Sequence, residues 1–311
     1  MGYDNSLYLS RLFNPANRDS VLEECFSIAA SRLTPRDDNK LRRYWKLTVN
    51  LYSGNFPGYS ACNTEYHDFN HTCDVFGATV RLCDGALSRK MDLETELIID
   101  VFLAAMLHDA GYIQETDDIM GTGAKYTKTH VVRSIAFTLQ NREAFDLDLA
   151  RAERIGRLIK GTDLGTPFDS IPFADPAEKF AAELLASADL LGQMADRTYL
   201  EKLLFLYYEF TEAGFPGYSS EFDMLKKTLG FYEMTKERLF RTLGNATKTA
   251  EYHFASRYGV EKNLYLESIE RQIEYLRSIM DDSSVNFRKK LKRIDLEEVT
   301  RTHQGTPQGA H

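Results

Sequence analysis

LIIDVFLAAMLHDAGY, residues 97–112, decides the fold. From Leu97 to Leu107 every side chain is apolar except Asp100. At 1.5 Å rise per residue that run predicts a helix buried on most sides. It stops at His108-Asp109, followed by Ala110-Gly111. A buried helix thus delivers an adjacent imidazole and carboxylate to the interior. Neither group is buried cheaply without a partner, and a divalent metal ion is the strongest partner available. A His-Asp pair capping a solvated helix end is the alternative, and the flanking sequence weighs against it.

Upstream, Tyr66-His67-Asp68-Phe69-Asn70-His71 leads into the apolar-periodic segment TCDVFGATVRLCD. Placed on one helix, His67 and His71 share a face about 6 Å apart, although a surface or cap pair has the same spacing. Downstream, residues 113–126 are polar and Gly-containing and read as a loop beside the His-Asp end, a lid or substrate wall. Thr127 or Thr129 starts the next helix, with His130 in its first turn, where a phosphate or a simple cap would suit it. A helix over 147–160 ends near Lys160-Gly161-Thr162. Asp175-Pro176-Ala177-Glu178 opens another, with Asp175 as cap, Pro176 first and Glu178 reaching back. Asp189 sits inside that helix among Ala and Leu, where a carboxylate must be protonated, paired or metal-bound. Asp196-Arg197 reads as a surface or helix-start pair.

Toward the ends, Asp19 or Ser20 would cap a helix through VLEECFSIAASRL, broken by Thr34-Pro35, and a second helix runs from Asn39 to about Tyr52. FPGYS occurs at 56–60 and again at 215–219 with unlike flanks, a coincidence or a shared turn. After residue 197 come long amphipathic helices. The last, from about Glu261 to Met280, spaces its apolar residues for core packing or a homodimer seam. RKKLKR, 288–293, reads as a solvated helix face rather than a phosphate patch. The chain divides into an N-terminal helical part (1–54), a core (55–212), C-terminal helices packed on it (213–295) and a flexible tail (296–311).

Composition agrees with an all-α chain. The 311 residues are 43% hydrophobic with 19 Phe and 17 Tyr, enough for a sizeable core. Only eight prolines and no apolar–polar alternation point away from an all-β fold. A net charge of −8 argues against a dedicated nucleic-acid binder. The four cysteines (Cys25, Cys62, Cys73, Cys83) form no CxxC pair and fit a reducing, cytoplasmic setting. With no leading apolar segment and no apolar run of 18 residues, neither export nor a membrane span is expected.

The order His71, His108-Asp109, Asp189 on helices resembles the HD-domain superfamily of metal-dependent phosphohydrolases. YHDFNHTCDV (66–75), AAMLHDAGY (104–112), IKGTDLGTP (159–167) and SADLLGQM (187–194) are similar to motifs of the cyclic-nucleotide phosphodiesterase catalytic domain within it. The resemblance spans about residues 45–210 and implies a multi-helix bundle. It implies that His71, His108, Asp109 and Asp189 are metal ligands, with Asp109 bridging where two ions bind. Zn, Mn, Fe, Co and Mg are not distinguished by such donors. It implies His67 as general acid beside Tyr66, with Asp109 in the catalytic set. Asp68, His130 and Thr162 are candidates for supporting the site or the substrate. The expected reaction is hydrolysis of a phosphodiester in a small, cyclic or linear, nucleotide. An HD-type nucleotidase or nucleoside-triphosphate phosphohydrolase is the second expectation, and a metal- or nucleotide-sensing module a third. The chain departs from the phosphodiesterase pattern at Asp68, an asparagine there, and at Thr127–Thr129, which lacks the acidic residue before the later histidine.

Overall fold

The computed structural model describes residues 9–12, 17–282, 286–294 and 296. The expected flexible tail lies outside the described residues, Leu296 excepted. Among those described the chain is α-helical, and β-type pairing is limited to the isolated bridges Ser53–Ala61 and Tyr59–Glu115. No described helix is long and apolar enough to cross a membrane. The helices are α1 (Leu9–Leu12), α2 (Arg18–Ala30), α3 (Pro35–Tyr52), α4 (Phe69–Ser88), α5 (Thr95–Leu107) and α6 (His130–Gln140). They continue as α7 (Leu149–Lys160), α8 (Pro176–Ala195), α9 (Tyr199–Glu212), α10 (Glu221–Glu237), α11 (Lys248–Tyr258) and α12 (Leu264–Asp281).

The apolar run 97–107 is α5, buried along its length as its composition requires. Its Asp100 is fully buried and satisfied by Arg151 of α7, with Arg154 Nε 2.9 Å from the other oxygen. Helix α4 lies against α2, α5, α8 and α11 and is buried from His71 to Ala86. Leu9 through Leu296 contribute to one hydrophobic core. In α12, Ile269, Ile273 and Leu276 are buried within the chain and the helix packs on α8, so its periodicity is core packing. No disulfide links the four cysteines.

Several local readings are corrected. Helix α2 starts at Arg18 and ends at Ala30, with Asp19 in its first turn rather than at its cap. Helix α3 starts at Pro35, because Thr34 caps it through the Asp37 N–H and proline is accommodated at the first position. Asp175 does cap α8, but Glu178 turns away to a bidentate pair with Arg157, at 2.5 and 3.1 Å. Asp196 does not pair with Arg197; its carboxylate is nearly buried and bonds Lys202 at 2.5 Å and the Thr198 N–H at 2.9 Å. RKKLKR is not a helix face: Arg288 pairs with Glu221, Lys290 with Asp282, and Leu291 is buried. The two FPGYS copies are both Pro-Gly turns, with Gly58 and Gly217 at φ +84° and +102°, a conformation only glycine adopts freely.

Behind the site, Asp84 of α4 ties three elements together. Arg32, Arg257 and His253 all bond its buried carboxylate, at 2.6–2.9 Å. Burial opposes the charge, but Arg257, His253 and Arg32 outweigh it and hold the carboxyl well below the usual range. Asp84→Ala is expected to lower unfolding free energy by about 3–5 kcal/mol, since the half-buried guanidiniums of Arg32 and Arg257 and the buried His253 ring lose their acceptor. The contribution of a carboxyl depressed in the folded state is complete above the unfolded pKa of ~4 and lost as pH falls below it. Urea titrations at pH 7 and pH 3 check both: the wild-type advantage over Asp84→Ala should shrink at pH 3, and an equal gap at both values would refute this reading.

Candidate metal centre and its pocket

Three helices bring four donor groups to one point. His71 lies in the first turn of α4, His108-Asp109 follows the last turn of α5, and Asp189 lies midway along α8. His71 Nε2 is 3.3 Å from His108 Nε2, 3.4 Å from Asp109 Oδ2 and 3.3 Å from Asp189 Oδ1. His108 Nε2 is 3.3 Å from Asp109 Oδ2 and 3.7 Å from Asp189 Oδ1. His71, His108 and Asp109 are buried and Asp189 is half-buried. The carbonyl of Ala105 accepts from His108 Nδ1 at 2.9 Å, which turns His108 Nε2 into the cluster.

The cluster's electrostatics call for positive charge. Burial works against an imidazolium at His108, but Asp109 and then Asp189 override it and push it up to about 9. Burial likewise opposes a carboxylate at Asp109, yet the neighbouring His108 charge, with those of His67 and His71, holds it well below the usual range. Asp189 is lowered in the same way by His71 and His108. Asp109 Oδ2 is buried and accepts no hydrogen bond. A buried orphan carboxylate oxygen among imidazole nitrogens fits a metal ligand set, and His71, His108 and Asp109 could together hold an ion.

The expected positions around this cluster fall differently from their sequence spacing. His67 is not on α4: Asp68 is the helix cap, accepting from the His71 N–H at 2.9 Å, so His67 precedes the helix. The His67 and His71 rings still lie 6.0 Å apart, because the chain turns at the cap. Asp68 therefore serves the helix end, not His67. The partner of His67 is Glu209 of α9, whose Oε2 lies 2.6 Å from Nδ1. The other Glu209 oxygen accepts from the Glu65 and Tyr66 N–H groups, at 2.9 and 2.7 Å. Burial disfavours charge on His67, but Glu209 reverses this and raises its pKa. Tyr66 is buried and donates its hydroxyl to Gln193 Oε1 at 2.7 Å. Thr162 lines the same pocket, its hydroxyl donating to the Ile159 carbonyl.

His130 opens α6, with Nδ1 on the Thr127 carbonyl at 2.8 Å and Nε2 3.7 Å from Asp109 Oδ1. Burial lowers its pKa, which favours the neutral ring. Gly111 allows this approach: a Cβ there would sit 2.0 Å from the His130 carbonyl oxygen. Tyr112 packs between the imidazoles, 4.3 Å from His67 and 4.6 Å from His130 in near-parallel stacking.

A cavity of about 410 Å³ opens from the cluster, within the range of small-molecule sites. One face of α9 (Tyr199, Leu203, Leu206, Phe210) and one of α10 (Met224, Lys227, Thr228, Phe231) form its far walls. Phe215 and Tyr218 from the turn between them complete it. The loop 113–126 does not line the cavity, contrary to its reading as a wall; the segment that does is Thr127–His130. Tyr112, Gln193 and Glu209 were missed in the sequence. Gln193 has a local signal, one helical turn beyond Asp189 on the same face. Glu209 has none, being separated from His67 by 142 positions.

A family model described as Npun_R2479-like matches residues 115–242. The match takes in His130, Asp189 and Glu209 but begins after His108-Asp109. No curated protein and no solved structure matches the chain.

Proposed function

We infer that the chain is a metal-dependent phosphohydrolase of the HD type, acting first on a phosphodiester bond of a small nucleotide. The observation that carries this reading is Asp109 Oδ2, buried without a hydrogen bond and 3.3–3.4 Å from two imidazole nitrogens. Donors so spaced are close enough together to share one ion. His71, His108, Asp109 and Asp189 would hold it, and the absence of thiolate donors argues against a closed structural zinc site. Asp109 Oδ1, facing His130, would serve a second ion. When bound, the metal lowers the pKa of a water toward neutrality and screens charge on the phosphoryl oxygens.

The chain's own residues would do the rest. His67, whose protonated form Glu209 favours through Nδ1, would use Nε2, 3.4 Å from the Tyr112 hydroxyl, to protonate the leaving oxygen, an effect of about 10²–10⁴-fold. Tyr112 covers one face of that ring and sets its orientation. The aromatic walls of α9 and α10 supply apolar surface for the organic part of the substrate.

Protein purified without chelator is expected to carry divalent metal and to hydrolyse bis-p-nitrophenyl phosphate and cyclic AMP or GMP in added Mn²⁺. Release of inorganic phosphate or triphosphate from nucleotides instead would move the substrate to a monoester or triphosphate. Protein with neither metal nor turnover of any phosphoester would leave a sensing or scaffold module in place of an enzyme.

A further inference from the structure

Two lysines stand at the outer end of the cavity, and the reaction outlined above uses neither. Lys128 precedes α6 and Lys227 is on α10, yet both reach the same turn between α9 and α10. Lys128 Nζ donates to the Gly214 carbonyl at 2.8 Å, and Lys227 Nζ donates to the Gly217 carbonyl. Carbonyls three residues apart are separated by no more than about 11 Å, so both ammoniums are held on one side of the mouth. Each also lies over a wall aromatic: Lys128 is 6.0 Å from the Phe215 ring centre and Lys227 5.3 Å from that of Tyr218.

Their charge is only partly answered. Lys227 pairs with Asp223 at 2.7 Å. Among the described residues Lys128 has no carboxylate within ion-pair distance, and its one hydrogen bond uses one of three ammonium donors. Lys128 therefore leaves an ammonium charge at the cavity that no described carboxylate answers, in a chain of net charge −8, and such a charge attracts anions. A phosphate oxygen is a stronger acceptor than the peptide carbonyl each lysine now holds.

We propose that Lys128 and Lys227 read a second anionic group on the substrate, so that the substrate class is a phosphoester bearing a further phosphate at the end remote from the reacting one. The proposal rests on the phosphohydrolase reading for the identity of the first phosphate. Its probes are adenosine 5′-phosphate and adenosine 3′,5′-bisphosphate, titrated calorimetrically into the full chain with Ca²⁺ as the added ion. The bisphosphate is expected to bind at least 10-fold tighter, with a preference that weakens as salt rises. Lys128→Ala with Lys227→Ala should reduce the preference below 3-fold, while Lys128→Arg with Lys227→Arg keeps it.

Equal affinity for the two nucleotides in the wild type would overturn the proposal. So would a preference that survives in the double alanine variant. If that variant weakens both ligands equally, the lysines only staple the turn and the proposal also fails. Binding of neither nucleotide defeats it as well. Turnover of bis-p-nitrophenyl phosphate by the same preparation then shows whether the underlying phosphohydrolase reading stands without it.

Discussion

Asp109→Ala is expected to lose bound metal and hydrolysis together, with turnover down at least about 10³-fold, as befits removal of several kcal/mol of charge stabilisation. Of the site's carboxylates Asp109 faces the most imidazoles, three against two for Asp189. One oxygen lies 3.3–3.4 Å from the two imidazole nitrogens, and the other faces His130. Without it, two imidazoles and the single carboxylate of Asp189 remain. Helix α5 ends at Leu107, before the substituted position, so the fold should persist. Metal content by mass spectrometry, turnover of bis-p-nitrophenyl phosphate and a far-UV spectrum distinguish the outcomes. Metal and turnover both retained would refute the ligand set. Metal retained without turnover would confine Asp109 to the chemistry.

Glu209→Gln should slow turnover about 10²-fold while leaving metal content unchanged, within the range expected for impaired general acid catalysis. The amide oxygen can still accept from the Glu65 and Tyr66 N–H groups, so the turn before α4 stays in place. What is lost is the negative charge beside His67 Nδ1. Glu209 raises the His67 pKa against the opposing effect of burial, so its neutralisation lowers that pKa. An acid must be protonated to act, and the alkaline limb of kcat/KM should therefore move to lower pH in the variant. An unchanged profile at unchanged rate would remove His67 from the reaction. Loss of metal in this variant would make Glu209 a support of the site's geometry instead.

The site was legible in part, for physical reasons that differ residue by residue. His108-Asp109 stood out because an apolar run ended in two polar groups, and Asp189 because it interrupted a run of small and apolar residues. Both signals are costs of burial, written locally. Helical spacing predicts the proximity of His67 and His71, whereas the chain reaches it through a cap at Asp68. Glu209 carried no local mark, since one polar residue in an amphipathic helix is ordinary until the helix docks. The composition of loop 113–126 suits a wall, yet the cavity is walled by α9 and α10, whose apolar faces in sequence suit core packing equally well.

The sequence by itself determined that this chain is α-helical, which runs are buried and which carry a charge into the interior, because periodicity and desolvation cost act within a few residues. Tertiary structure alone decided that His71, His108, Asp109 and Asp189 meet. It also decided that Glu209 rather than Asp68 holds His67, and that two distant lysines share one turn. Those facts depend on how α4, α5, α8, α9 and α10 dock. Docking is set by the summed packing of many side chains across long sequence separations, and no single stretch encodes it.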